Sequence, residues 1–262
     1  MCLLIVAHRY RAGLPLVVAA NRDEFHARPT AISRFWDSHP TLLAGKDLAQ
    51  GGTWMGVTRG GRFAAITNFR DPAQTKPAPR SRGELPLDYL VGEQPPANYL
   101  ASVAARSDQY AGFNLLLGDS ESLWYFDNNP GEQPVPLAPG VYGLSNARLD
   151  TPWPKVLRGK RELESLLDAQ WPDHAALAGV VSDRRLADSD SLQLNAAGTD
   201  MERQLSAQFI VTQHYGTRAT TTLWRDQAKT YWREQSFDAQ GRPDAVSEET
   251  FAIQDEGWSR GS

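Results

Sequence analysis

The sequence predicts a mixed α/β domain in which layered sheets are covered by helices. Three observations carry this expectation. Short apolar, β-branched runs punctuated by Gly, Pro, Asn and Asp come in pairs at both ends of the chain, as hairpins do. The middle holds stretches with helical spacing. No repeat of fixed period runs through the chain, so a solenoid or propeller is not indicated. With 262 residues, 41% of them hydrophobic, the chain can bury a large core, and one domain over 1–262 is expected.

Residues 2–8, dense in Leu, Ile and Val, read as a buried strand. Gly13 and Pro15 make 9–15 a turn, and 16–21 reads as the returning strand, followed by a polar loop over 22–30. Residues 54–58 and 62–67 form a second hairpin across Arg59-Gly60-Gly61, ended by Asn68 to Pro72. The stretch 72–86 is rich in Pro, Arg and Ser and is expected to be a surface loop. Helical spacing follows over 85–92 and 96–106, then a third hairpin, 113–117 with 123–127, around Asp119-Ser120-Glu121. A further strand region ends at Gly143-Leu144-Ser145-Asn146. Residues 153–168 form an amphipathic helix, opened by Pro152 and Pro154, with Val156, Leu157, Leu163, Leu166 and Leu167 as most of its apolar stripe. A shorter helix is expected over 175–182, and strands over 209–212, 217–225 and 229–237, leaving 238–262 as a peripheral segment.

Several function classes fall away. The formal charge is -4 and the basic residues are not gathered in a run, so no nucleic-acid surface is expected. The opening MCLLIVAHRY is too short for a signal segment and no other apolar run approaches a membrane span, so a soluble, cytoplasmic protein is expected. Cys2 is the only cysteine, which excludes an intrachain disulfide or a cysteine-based zinc cluster. The Gly-Gly pairs at 51–52 and 60–61 do not form a nucleotide-binding loop.

The position of that cysteine carries chemistry. Removal of Met1 would put a thiol and a free α-amine on one residue. A thiol ordinarily titrates near ~8.5 and an α-amine near ~7.7–8.0, so the amine can take the thiol proton and later return it to a leaving amine without a histidine or a metal. The bland alternative is a small, buried residue at a strand start.

Cys2 has company. Asn21-Arg22-Asp23-Glu24 follows the second strand, Gly51-Gly52-Thr53-Trp54 precedes the second hairpin, and Gly143 to Ala147 leads to Asp150-Thr151-Pro152-Trp153-Pro154-Lys155. Tyr215-Gly216-Thr217-Arg218 opens a late strand. In this order, over about 1–237, the motifs resemble the NRDE, or transport and Golgi organisation, family. The order is also similar to that of the cysteine-type N-terminal nucleophile hydrolases, such as bile salt hydrolase and penicillin V acylase. The resemblance implies an αββα sandwich: two antiparallel sheets face to face, with helices outside. It implies a site made of Cys2, Arg22, Asp23, Asn68, Asn146 and Arg218. Asp23 would orient the α-amine, a guanidinium from Arg22 or Arg218 would favour the thiolate, and Asn146 with Asn68 would donate to an oxyanion. Arg22 and Asp23 are neighbours, and neighbours on an extended strand point to opposite faces, so both reach the thiol only where the strand ends or bulges. The family association also admits a carrier of haem or another amphiphilic ligand, as cargo, with His26 and His214 as ligands, or a link to lipid and acyl-CoA metabolism. A scaffold without small-molecule chemistry is the third reading.

Overall fold

The chain opens with β1 (Cys2–Arg11), which turns at Ala12-Gly13 into β2 (Leu14–Phe25). Gly13, at a φ of 81°, takes the left-handed conformation this tight reversal needs. A computed structural model describes residues 2–69, 78–188 and 203–254. The chain continues through β3 (Thr30–Trp36), β4 (His39–Asp47), β5 (Met55–Thr58) and β6 (Phe63–Asn68). Helices α1 (Glu84–Val91) and α2 (Pro96–Ala104) follow, then β7 (Phe113–Gly118), β8 (Leu123–Asp127), β9 (Val135–Pro136) and β10 (Gly140–Leu144). Helices α3 (Pro154–Ala169) and α4 (His174–Gly179) precede β11 (Tyr215–Arg225), β12 (Lys229–Phe237) and β13 (Pro243–Ala252).

These strands make two antiparallel sheets, one in the order β10-β1-β2-β11-β12-β13 and the other running β3 to β9 in sequence. Alternation along β1 assigns the layers. Leu4 and Val6 pack between the sheets with Leu43, Val57, Leu116 and Trp232, whereas Leu3, Ile5 and Ala7 pack outward under Val156, Leu163 and Leu177 of α3 and α4. Helices α1 and α2 cover the far face of the second sheet through Leu85, Tyr89, Leu100 and Val103. The result is the αββα sandwich. Among the described residues, no helix is long and apolar enough to cross a membrane.

Some boundaries differ from expectation. The polar loop over 22–30 shrinks to four residues, 26–29, because β2 carries Arg22 to Phe25 as strand. The reason lies in its neighbour: β1 ends at the Cys2–Arg22 pair, but β11 continues to pair with β2 out to Phe25. Strands β3 and β4 were not foreseen, because polar residues such as Ser33 interrupt their apolar pattern. Residues 84–86 belong to α1, and 72–77 of the expected loop lie outside the described residues. Residues 209–212 contribute only a single bridge, Val211 to Gly216, while 243–252 add an edge strand. In α3 the buried face is Lys155, Val156, Gly159, Leu163 and Leu167, and Leu157 points to solvent.

Candidate active site at the start of the first strand

Cys2 begins β1 on the face of Leu4 and Val6 and packs at the edge of the inter-sheet core. Its partner across the ladder is Arg22, and directly opposed residues of an antiparallel pair point to the same face. Arg22 is buried, with its guanidinium 4.3 Å from the Trp54 ring centre, Nη1 donating to Thr30 Oγ1 at 3.3 Å and Nη2 3.9 Å from Glu24 Oε2. Trp54 fits there because Gly45 lacks a side chain; a Cβ would come within 2.2 Å of the indole. Burial pushes the Cys2 thiol above its ordinary range and the negative charge of Asp23 adds to that, while the Asp23 backbone N–H and the Arg22 guanidinium act in the opposite direction.

Asp23 and Asn21 point to the other face of β2, toward the helices. A bulge in β11 between Thr217 and Ala219 changes the register beside them. Thr217 Oγ1 donates to Asp23 Oδ1 at 2.7 Å, and the Tyr215 hydroxyl donates to the Asp23 carbonyl at 2.8 Å. Asn21 Nδ2 donates to the carbonyls of Val181 and Gln208, and its Oδ1 accepts from Thr220 Oγ1 at 2.7 Å. Burial raises the Asp23 carboxyl to about 6, against the pull of Lys155, Thr217 and Arg22. Arg218 occupies the bulge, and its Nη1 donates to the carbonyls of Phe25, His26 and Arg28 at 3.1, 3.0 and 3.3 Å. Arg218 therefore ties down the turn after β2, while Arg22 is the guanidinium opposite the thiol.

Asn146 arrives from the other side. The register Leu4–Leu144, continued two residues, brings Asn146 level with Cys2. Ser145 Oγ donates to the Cys2 carbonyl at 2.8 Å and lies 3.3 Å from Asn146 Oδ1. Asn146 Nδ2 donates to the Asn68 carbonyl at 2.7 Å, so Asn68 meets the site through its backbone, at the end of β6, and its own side chain is exposed. Thr67 Oγ1 donates to the Ser145 carbonyl at 2.6 Å, and Asn114 Nδ2 donates to Thr67 Oγ1 and to the Ala147 carbonyl, each at 3.0 Å. The Tyr125 hydroxyl completes this support by donating to Asn114 Oδ1 at 2.7 Å.

His26 and His214 lie at the turn beyond β2. His26 Nε2 is 3.1 Å from the Thr212 carbonyl, its backbone N–H donates to the His214 carbonyl at 2.9 Å, and the His214 side chain is exposed. Among the described residues, no group of three or more His, Cys, Asp or Glu is placed to hold a metal ion.

The geometry thus brings Cys2 together with residues of the Asn21 to Glu24, Gly51 to Trp54, Gly143 to Ala147 and Tyr215 to Arg218 motifs, and with Asn68. A family model described as Transport and Golgi organisation 2 matches residues 1–238. The chain belongs to this family. The Transport and Golgi organization protein 2 homolog of Bos taurus is 35% identical over 230 residues, covering 80% of this chain and 82% of the bovine protein. The Homo sapiens homolog is 40% identical over 154 residues, covering 56% of this chain and 55% of its own length. Among solved structures, a variant of the conjugated bile acid hydrolase from Clostridium perfringens superposes with a TM-score of 0.54 at 9% identity, covering 95% of this chain and 97% of that one. At that identity the likeness is one of fold: this transport and Golgi organisation 2 family chain has the sandwich of the N-terminal nucleophile hydrolases.

Sequence reasoning passed over Ser145, Thr67, Asn114, Thr217 and Lys155. A signal existed for two of them: Asn114 interrupts the apolar run Phe113 to Leu117, and Lys155 stands one residue from Val156 on the apolar face of α3. Ser145 and Thr217 stand inside the Gly143 to Ala147 and Tyr215 to Arg218 motifs, but no local pattern sets them apart from their neighbours there.

Proposed function

We propose that this chain is a cysteine-type N-terminal nucleophile amidohydrolase or acyl transferase acting on a C–N amide. The observation that supports it is the meeting at Cys2 of Arg22 across the ladder, the Asp23 amide beside the sulfur, and Asn146 held through Ser145 to the Cys2 carbonyl.

In this reading Met1 is removed and the α-amine of Cys2 takes the thiol proton. The sulfur attacks the amide carbon, an S–C bond forms, and the carbonyl electron pair moves to oxygen. Asn146 spends one amide hydrogen on the Asn68 carbonyl and keeps the other for that oxyanion. Collapse breaks the C–N bond, and the α-ammonium gives its proton to the departing amine. Water, or an acceptor amine, then attacks the thioester, passing its proton to the α-amine as the S–C bond breaks and the thiol is restored.

Two measurements test this. Intact mass must show a mature protein lacking Met1. Cys2→Ala must lose hydrolysis of a panel of acyl amides while its circular dichroism stays that of the parent. A retained methionine, or turnover that survives in Cys2→Ala, ends the proposal.

A second reading, cytoplasmic carriage of haem or another amphiphile, has one observation in its favour. The Nε2 of His26 lies against a backbone carbonyl and its Nδ1 has no hydrogen-bond partner among the described residues, an arrangement also found where an imidazole ligates a metal. Titration with haemin tests it: a Soret shift that is the same in His26→Ala and His214→Ala removes these ligands from consideration.

A further inference from the structure

Alternation along β11 and β12 sends two sets of side chains to opposite faces of the first sheet. Leu223 and Trp232 pack inward with Leu4 and Val6, on the face of Cys2, whereas Trp224 packs outward with Leu163 and Leu177 of the helices. Thr220 and Thr222, with their ladder partners Gln235 and Arg233, share the outward face with Trp224. Helix α3 packs on β1 and β10, and α4 on β2 and β11. Beside α4 the outer face of β12 opens into a cavity of about 320 Å³. That volume is at the lower end of the ~300–1,000 Å³ typical of small-molecule pockets. The cavity is lined by Arg184 and Arg233, by His174 and Thr220, and by the rings of Phe209 and Phe237.

The walls are fixed before any ligand arrives. His174 Nδ1 lies 2.7 Å from Thr222 Oγ1, and its ring centre is 4.6 Å from that of Trp224. Phe209 and Phe237 meet edge to face with centres 4.8 Å apart. The Arg184 guanidinium lies over Phe209, 4.5 Å from the ring centre, and its Nη2 donates to the Gly241 carbonyl at 3.0 Å. Asn21 ties the cavity to β2: its Oδ1 accepts from Thr220 Oγ1, and its Nδ2 donates to the carbonyls of Val181 and Gln208. Those two carbonyls belong to the segments that carry Arg184 and Phe209.

The charge on these walls is not balanced. Two guanidiniums on one cavity repel each other, and each carries five N–H donors. Arg233 makes no side-chain hydrogen bond among the described residues. Its Nε is buried without one, and the carboxylate beside it, Glu248, is more than half exposed and 3.5 Å away. Arg184 spends one donor on Gly241 and pairs with no carboxylate among the described residues. Asp183, next to it in the chain, is engaged by Arg158 and Arg185. A cavity with only a packing role has no use for open donors of one sign above aromatic rings.

We propose that this cavity is a binding site for a small organic anion, with its carboxylate or phosphate on Arg184 and Arg233 and its apolar body against Phe209 and Phe237. Guanidiniums suit such a head group because their paired N–H donors match two oxygens of a carboxylate or phosphate. The rings suit a body that water does not hold. The site opens on the face of the sheet opposite Cys2, so it stands independently of the amidohydrolase reading.

The test titrates the full chain with phenylacetate, phenyl phosphate, inorganic phosphate and benzyl alcohol. The ring protons of His174, identified by their absence in His174→Gln, are followed by nuclear magnetic resonance. At least one aromatic anion is expected to shift them saturably with a Kd of about 1 mM or below, and to bind about tenfold tighter than inorganic phosphate or benzyl alcohol. The tighter of the two aromatic anions tells a carboxylate ligand from a phosphate ligand. Arg184→Gln and Arg233→Gln are each expected to weaken that anion about tenfold, with Arg184→Lys and Arg233→Lys intermediate. No saturable shift with either aromatic anion overturns the proposal, and so does unchanged affinity in both glutamine variants. Inorganic phosphate or benzyl alcohol binding as tightly as the aromatic anions also overturns it, since head group and body must both contribute. Arg184 is exposed, so its variants are expected to fold. Should Arg233→Gln fail to fold, an Arg184→Glu that binds like the parent overturns the proposal.

Discussion

At Cys2, opposing influences meet within one pair of strand ends. Burial disfavours the thiolate, while Arg22, held across the ladder and stacked on Trp54, favours it. Because the chain has a single cysteine, alkylation by iodoacetamide reports on this residue alone. Arg22→Met removes a cation beside the sulfur. It should raise the alkylation midpoint by about one pH unit and slow the reaction at neutral pH roughly tenfold, with Arg22→Lys intermediate. A midpoint that does not move would show that the guanidinium serves packing only. The individual residues were legible as types in a suggestive order, but their division of labour was not. Arg22 and Arg218 could not be told apart from sequence, because which of them sits opposite Cys2 depends on a ladder register and on a bulge almost 200 positions away in the chain.

Among the elements, the approach to the site depends on backbone meeting backbone. Gly52 lies against the chain just before α1: a Cβ there would come 2.4 Å from the Gly83 carbonyl oxygen and 2.5 Å from its carbon, and Thr53 N–H donates to that carbonyl at 3.0 Å. No flexible side chain can yield, so Gly52→Ala should cost about 1–3 kcal/mol, visible as a lower urea midpoint at unchanged slope. The neighbouring Arg82, whose guanidinium burial holds below its ordinary range and whose Nη1 donates to the Gly112 carbonyl at 2.9 Å, would shift with the displaced backbone. A variant as stable as the parent would mean that the 81–83 backbone moves freely. The hairpins were readable where a turn separates two clean apolar runs, as in β5–β6 and β7–β8. The extension of β2 from Arg22 to Phe25 was not, since it exists because β11 lies alongside.

For the whole molecule, the two sheets are joined by apolar packing and by a few buried polar links. Glu234 of β12 accepts from the Ser33 N–H of β3 at 2.9 Å, and Trp232 Nε1 donates to Ser33 Oγ at 2.9 Å. Burial raises the Glu234 carboxyl to about 7, above its ordinary value of 4.5. A carboxyl raised on folding contributes stability that is complete below the unfolded value and is lost as pH rises through the folded one. Between pH 4.5 and about 7, then, this group should make the fold progressively less stable. Glu234→Gln, which does not titrate, should remove that slope: the stability difference between variant and parent should change by on the order of 3 kcal/mol between about pH 4 and about pH 8. Urea unfolding across the range measures it, and a difference independent of pH would place the titration elsewhere.

From residue order alone came the α/β layering, the family resemblance and the set of polar residues worth inspecting, because alternation, turn chemistry and motif order are local properties of a chain. Tertiary structure decided which guanidinium faces the thiol, that Asn68 meets Asn146 through its carbonyl, and that Ser145 bridges Cys2 to Asn146. Those outcomes depend on which strands become neighbours, in which register, and where one bulge falls. Pairing of that kind joins positions far apart in sequence, and no short window contains it.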